Sequence, residues 1–498
     1  MPIKRYPDGS TPKVAILGGG LSGICTALQL KRQLGLESFT IYESHSDFGG
    51  TWFANKYPGC ACDVPSHIYS ISFEPKSDWT EKYSKAPEIL EYCRNLAKKY
   101  NLYDHARLNT VVNSITWDDK VKIWKLKVQP RDGEEEEVSA DFIVSGVGAL
   151  RSPAIPEMFE NFKGPSVHSA QWDSKFEIEG KDIAIIGSGA SAVQIIPEIA
   201  DKVKNLYVYQ RTPTWVVPRN NYKFSSVVKW IFQYVPFVRR MYRWFGFLGY
   251  EIQFSISRPG SLVSRIGTKR SLQHLKNQVT DPTKRVLLTP NYTIGCKRVV
   301  VSDDYFPALD KPNVHIETSP ISGVEGQTIL TESNKQKVDA IILATGFKVQ
   351  DFLSPMKVYG KGGHEISDIW NTTPKSYLGI LSPGFPNMFM LLGPNTGLGH
   401  NSVMFMIECQ VNYVIKVISE MMKRDYSTVD VKTSAQEKYD SEIQQSLKKS
   451  VWVSNCRSWY KNSEGIVTAL WSGNCIDYWR ATKSLKTKDL EFEKATRV

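Results

Sequence analysis

The chain repeats one pattern of apolar and polar positions. Val14–Leu17 is a short apolar run that stops at Gly18. Ile24, Ala27, Leu28 and Leu34 then recur at helical spacing, before a second run at Phe39–Tyr42. Further along, the run Ile183–Ile186 stops at Gly187. Val193, Ile196 and Ile199 follow at the same spacing, and Leu206–Tyr209 closes the set. Each series predicts strand, glycine turn, helix and strand. Two more buried runs, ending at Gly146 and Gly346, supply one closing strand to each unit. The fold class is therefore α/β, with two Rossmann-like dinucleotide-binding domains.

The remaining stretches are less regular. Ala86–Lys99 has helical spacing, and Val111 to Val128 alternates, which predicts a hairpin or small meander turning at Asp118-Asp119. Arg131–Glu137 reads as a charged, solvated turn. Between Phe224 and Tyr250, Trp230, Ile231, Phe232, Tyr234, Phe237, Trp244, Phe245 and Phe247 are interleaved with Lys229, Arg239, Arg240 and Arg243. The charges interrupt it too often for a bilayer-spanning helix. It predicts a helical insertion over a substrate entrance, with peripheral contact on an anionic membrane surface as the alternative. Tyr377–Ile380 and Gly384–Phe389 read as strand and turn. Gly393–Ser402 opens a helix rich in Met and Ile, with Asn395 in the turn at its start. Thr482–Val498 mixes charges of both signs and reads as a frayed tail.

Gly18 makes a tight turn, Gly20 lets backbone approach a pyrophosphate, and Gly23 lets helix and strand pack closely. Glu43 ends the following strand, where a carboxylate suits a ribose diol and repels a 2′-phosphate. The first loop therefore takes FAD or NAD. The second loop has Gly187, Ser188, Gly189 and Ala192, but its strand ends in Gln210-Arg211. A guanidinium there can grip a 2′-phosphate through two hydrogen bonds, so this loop favours NADPH.

The 498 residues are enough for several domains, and 41% apolar content fills large cores. The net charge of +11 suits anionic ligands or surfaces, and no nucleic-acid-binding module is present. Eight scattered cysteines lack any Cys-x-x-Cys pair. They are expected to be reduced thiols in a cytoplasmic protein, with no metal site. Met1–Lys13 is polar and does not read as a leader peptide, and no run is long enough to span a membrane.

Between the two glycine loops lie Phe162, Gly164, His168, Trp172 and Asp173, in the pattern Phe-x-Gly-x-x-x-His-x-x-x-Trp-Asp. This resembles the fingerprint of flavin-dependent Baeyer–Villiger monooxygenases. It suggests a hinge between a flavin half and a nicotinamide half, with His168 and Trp172 coupling nicotinamide binding to closure. Gly49-Gly50-Thr51-Trp52, Asp63-Val64 and Tyr69 are similar to the family's segments beside the flavin, which favours FAD over NAD in the first loop. Many family members carry Ala-Arg where Cys60-Ala61 stands here, and an acid at Pro65. Gly295-Cys296-Lys297-Arg298 resembles the segment that carries the family's active-site arginine. Cys456–Tyr460 and Trp471–Gly473 resemble the C-terminal lid of fungal-type members.

The resemblance implies an enzyme that uses FAD, NADPH and O2 to insert one oxygen atom beside a ketone carbonyl, through a flavin C4a-peroxide, giving an ester or lactone. Arg298 would stabilise the developing anions, and Asp63 would position its guanidinium. Lys297 and Thr212 would serve the nicotinamide nucleotide with Arg211, and Asn395 the flavin. An N- or S-oxygenating flavin monooxygenase shares these cofactors and is the alternative. The second nucleotide domain is expected to be inserted into the first. Residues 1–150 and 336–498 then form the FAD-binding domain, the latter with the lid. Residues 151–335 form the NADPH-binding domain, with the helical insertion at about 220–285.

Overall fold

Both repeats fold as parallel sheets in the computed structural model, which describes residues 6, 9–454 and 456–494. The polar start and the end of the charged tail lie partly outside the described residues. The first apolar run is β1 (Val14–Leu17), followed by α1 (Leu21–Gln29) and β2 (Phe39–Tyr42). Next come α2 (Thr51–Ala54), α3 (Ala86–Lys99) and the short β3 (Ala106–Arg107). The predicted hairpin is β4 (Thr110–Asp118) and β5 (Ile123–Pro130). Asp118 Oδ1 accepts the amides of Lys120 and Val121 at the turn. β6 (Glu136–Ala140) adds a third antiparallel strand, and β7 (Phe142–Ser145) returns to the parallel sheet. That sheet runs Met388–Met390, β7, β1, β2, β3. Val14 lies opposite both Phe39 and Phe142.

The second sheet contains β8 (Ser166–His168), β9 (Asp182–Ile186) and, after α4 (Ala190–Ile199), β10 (Asn205–Tyr209). Its order is Val314–Glu317, β10, β9, Ala340–Leu343, β8, again with every neighbour parallel. Residues of the strands and of α1 and α4 are buried because both faces of each parallel sheet are covered. The carboxyl ends of β1 and β9 both open onto glycine turns, where ligands of such sheets bind.

Four readings change. The Arg131–Glu137 turn is shorter than predicted, since Glu136 and Glu137 belong to β6, where Glu137 pairs across to Lys127. The predicted boundary at residue 335 cuts off Ala340–Leu343, which is a strand of the second sheet. Part of the Phe162–Asp173 linker is β8, so the fingerprint is built into the second sheet. The charged tail is not all frayed: Leu490–Lys494 pairs with Tyr426–Val431, Leu490 is buried and Phe492 stacks on Tyr426. Short polar strands of this kind are held by pairing and one apolar anchor, which periodicity does not reveal.

The aromatic stretch forms α5 (Ser226–Tyr234) and α6 (Pro236–Gln253), followed by α7 (Leu262–Gln278) and α8 (Pro282–Leu287). Ser225 caps α5 with its hydroxyl, and Pro236 starts α6. No described helix is long and apolar enough to cross a membrane.

Candidate active site

The first glycine loop is shaped by contacts that leave no room for a side chain. A Cβ on Gly23 would sit 1.9 Å from the Gly18 carbonyl oxygen, and Gly18 itself has φ of +103°. The loop presses against Gly50, where a Cβ would come within 2.8 Å of the Gly20 Cα. Glu43 is buried, and its Oε2 accepts the Gly19 amide at 2.6 Å. The carboxylate therefore stands at the end of β2, beside the turn. Gly50 precedes α2, which carries Thr51 and Trp52. The Trp52 ring meets the Tyr69 ring edge-on at 5.6 Å. Val64 is buried.

The second loop is more open. Gly187 has φ of +123°, and a Cβ there would meet the Ala344 carbonyl, but a Cβ on Gly189 would meet nothing within 4 Å. Ser188 Oγ donates to the Thr212 carbonyl at 2.8 Å, tying loop to strand end, and Ala192 is buried beneath. Arg211 is exposed. It lies near Lys297, whose ammonium is pushed below its ordinary pKa by burial and then by Arg211. Neither cation has an ion-pair partner among the described residues. Two unneutralised cations thus lie near an open glycine loop, and they leave net positive charge there.

The structure brings Asp63 and Arg298 together across 235 residues of chain. Arg298 Nε donates to Oδ2 at 2.6 Å and Nη2 to Oδ1 at 2.8 Å, a planar two-bond fork. Nη1 donates to the Leu398 carbonyl at 3.3 Å. Burial raises the Asp63 carboxyl, but the charge and hydrogen bonds of Arg298 outweigh it and hold its pKa below the ordinary value. The same carboxylate is the largest cause of the raised Arg298 pKa, against burial. Both groups stay ionised. A cavity of about 20 Å³ lies beside the guanidinium, lined by Lys297, Arg298, His400, Trp452 and Tyr460 among others.

The fingerprint residues have separable placements. The Phe162 ring packs where a Gly164 side chain would lie, since a Cβ there would come within 2.6 Å of it. His168 Nδ1 accepts the Ala170 amide at 3.1 Å, which leaves the proton on Nε2. The ring is buried beside the Gly346 backbone and faces Phe347 at 6.1 Å. Trp172 packs against Phe176, and the Asp173 carboxylate accepts the Lys175 amide in a turn. The five residues therefore do not form one cluster.

Asn395 departs from its predicted setting. The long helix starts at Val403, not at the Gly-Pro-Asn turn. The Asn395 side chain instead donates to the carbonyls of Val467 and Leu470, fastening the C-terminal segment. Tyr377–Ile380 is likewise a turn, closed by a bridge from Tyr377 to Leu381. The expectation of reduced thiols fails at one pair: Cys296 and Cys456 form a disulfide with Cα atoms 6.4 Å apart. It links the Arg298 segment to the C-terminal segment. Trp452 adds a second link, donating to the Gly295 carbonyl at 3.0 Å.

Arg219, Gln194 and Glu251 at this junction escaped sequence reasoning, which placed Tyr460 only within the C-terminal segment. Arg219 donates to the carbonyls of Cys62 and Tyr83, bringing a second cation near Asp63. Gln194 on α4 bonds the Tyr57 hydroxyl and the Ala61 carbonyl, joining the two nucleotide units. Gly59 was the available signal for that contact, because a Cβ there would lie 2.4 Å from the Gln194 carbonyl. Tyr460 is buried near Arg298, and burial pushes its phenol up to about 12. Glu251 at the end of α6 accepts Asn401 Nδ2 at 2.8 Å and the amides of Cys475 and Ile476 at 3.2 Å. His400 Nε2 and the Cys475 thiol are grouped with it, but the carboxylate is already filled by these donors.

Comparison with known proteins shows the family. The family model described as flavin-binding monooxygenase-like matches residues 11–356. A protein of Pseudomonas aeruginosa named Baeyer–Villiger monooxygenase is 40% identical over 93% of this chain and 88% of its own. An Aspergillus niger protein named FAD-binding monooxygenase ktnD is 38% identical over 97% of this chain and 82% of its own. Among solved structures, an oxidized steroid monooxygenase bound to NADP has TM-score 0.85 at 26% identity. The match covers 97% of this chain and 99% of the other. The chain belongs to the flavin-binding monooxygenase-like family, alongside relatives named Baeyer–Villiger monooxygenases.

Proposed function

We propose that this protein is an FAD- and NADPH-dependent Baeyer–Villiger monooxygenase, which inserts one oxygen atom of O2 beside a ketone carbonyl to give an ester or lactone. The observation that carries the reading is the Arg298–Asp63 fork at the junction of the two nucleotide units. FAD, once reduced by NADPH, supplies the activation of O2.

The residues fit both cofactors. Gly18, Gly20 and Gly23 give a close-packed turn that would take the FAD pyrophosphate, Glu43 would hold the ribose, and Gly50, Thr51, Trp52, Val64 and Tyr69 would flank the flavin. The open space at Gly189 and the cations of Arg211 and Lys297 fit the NADPH phosphates. Ser188, Ala192 and Thr212 build that loop.

Arg298 holds a fixed positive charge where the ketone oxygen becomes an anion. A preorganised cation in a site shielded from water stabilises such charge without reorganising during the step. Asp63 orients the guanidinium and keeps it charged. Trp452 and Tyr460 close the site against water. The proposed location is cytoplasmic, where NADPH is supplied. An apolar ketone partitions into lipid, and the outer face of α6 fits contact with such a surface.

The experiment is anaerobic reduction of the purified yellow protein by NADPH, then mixing with O2 and a panel of ketones. Esters or lactones are expected. Oxygenation of amines or sulfides alone would favour the alternative chemistry, and absence of bound flavin would overturn the reading.

A further inference from the structure

Residues 222–278 hold ten Lys or Arg and a single acid, Glu251, so they carry nine of the chain's eleven net positive charges. The acid is buried. The same stretch exposes large apolar side chains. On α5, Val227, Trp230 and Tyr234 are each more than half exposed. On α6, Phe237 is 70% exposed, Trp244 52%, Phe245 61% and Ile252 66%. These four fall on one face of α6, together with the exposed Arg240.

The opposite side of α6 is already anchored. Arg243 donates to the carbonyls of His67 and Ser70 and to the Ser70 hydroxyl, at 2.7–2.9 Å. Phe232 and Tyr242 pack on the His67 ring. The outward aromatics are therefore not a core face turned the wrong way. A helix that is apolar on both its anchored and its outer side, yet sits at the surface, has a second apolar partner.

We propose that the outer face of α5 and α6 seats the enzyme on an anionic bilayer. Trp230, Phe237, Trp244 and Phe245 enter the boundary between headgroups and acyl chains, while Lys229 and the exposed Arg240 meet the lipid phosphates and carboxylates. Charge complementarity selects this occupant. A second copy docking two-fold on the same face would set Arg240 against Arg240 and two strongly positive patches together. An acyl-chain interior bordered by anionic headgroups satisfies both properties of the face. The helices lie on the membrane and do not cross it. The inference bears on the proposed ketone chemistry only through substrate delivery, and its test is independent of turnover.

The test is flotation of the flavin-loaded full-length protein with phosphatidylcholine vesicles, with and without phosphatidylserine. Co-flotation is expected with the anionic vesicles only, and it should weaken as salt is raised. The variant Trp244→Glu/Phe245→Glu should remain at the bottom of the gradient while binding flavin and oxidising NADPH as the parent does. A parent that fails to float with anionic vesicles would overturn the proposal. Equal flotation of parent and variant would also overturn it, since bulk charge would then suffice. A dimer in light scattering that this variant dissolves, without any flotation of the parent, would assign the face to a second copy instead.

Discussion

Arg298 and Asp63 meet through two nearly parallel hydrogen bonds of 2.6 and 2.8 Å, although 235 residues separate them. Arg298 arrives from the segment after the second nucleotide unit's helical insertion, and Asp63 from a loop of the first. The pair therefore exists only when the two units are docked. Its side chains remain 29% and 22% exposed, so the guanidinium still faces the small cavity under the lid.

Arg298→Ala should leave reduction of the flavin by NADPH nearly unchanged and lower ketone oxygenation by about 10²–10³-fold, the usual cost of losing one preorganised charge. Consumed NADPH should appear as hydrogen peroxide. Stopped-flow flavin bleaching with product analysis separates the two steps, and normal ester yield would remove Arg298 from the mechanism.

Arg211→Ala should weaken NADPH binding by about 10–100-fold, the value of about 1.5–3 kcal/mol for a charged hydrogen bond, and change NADH binding little. Lys297→Ala should act in the same direction. Titration of each nucleotide against flavin reduction decides it. Equal losses for both nucleotides would show that these cations do not read the 2′-phosphate.

The two glycine loops should respond differently to one methyl group. Gly23→Ala places a Cβ 1.9 Å from a backbone oxygen and should cost about 4 kcal/mol or more, with loss of bound flavin. Gly189→Ala meets open space, so its thermal midpoint should hold while NADPH affinity falls. Thermal unfolding and nucleotide titration on the two variants check both halves.

Glu251 should shape the acid limb of stability. Burial raises its carboxyl, but hydrogen bonds from His400, Asn401, Cys475 and Ile476 outweigh this and lower it from 4.5 to about 2. A depressed folded pKa contributes stability that is complete above the unfolded value and is lost as pH falls through the folded one. The window therefore runs from 4.5 down to about 2. Glu251→Gln should lower the thermal midpoint at neutral pH and flatten its fall within that window. An unchanged acid limb would show that this carboxylate does not anchor α6.

The sequence by itself determined the two parallel-sheet units, because each strand, turn and helix is a local run with its own period. It also determined the contrast between Glu43 and Arg211, since each residue ends a strand at a fixed distance from its glycine turn. The resemblance pointed to Asp63 and Arg298, but nothing local could show that they touch. That contact, the Gln194 bridge and the Cys296–Cys456 link depend on how distant segments dock. The placement of Ser166–His168 in the second sheet was hidden because a three-residue strand has too few positions to show alternation. The outer face of α6 was equally undecided: the aromatics at 232 and 242 and those at 237 and 244 look alike in sequence. Only packing against His67 turned one set inward and left the other exposed.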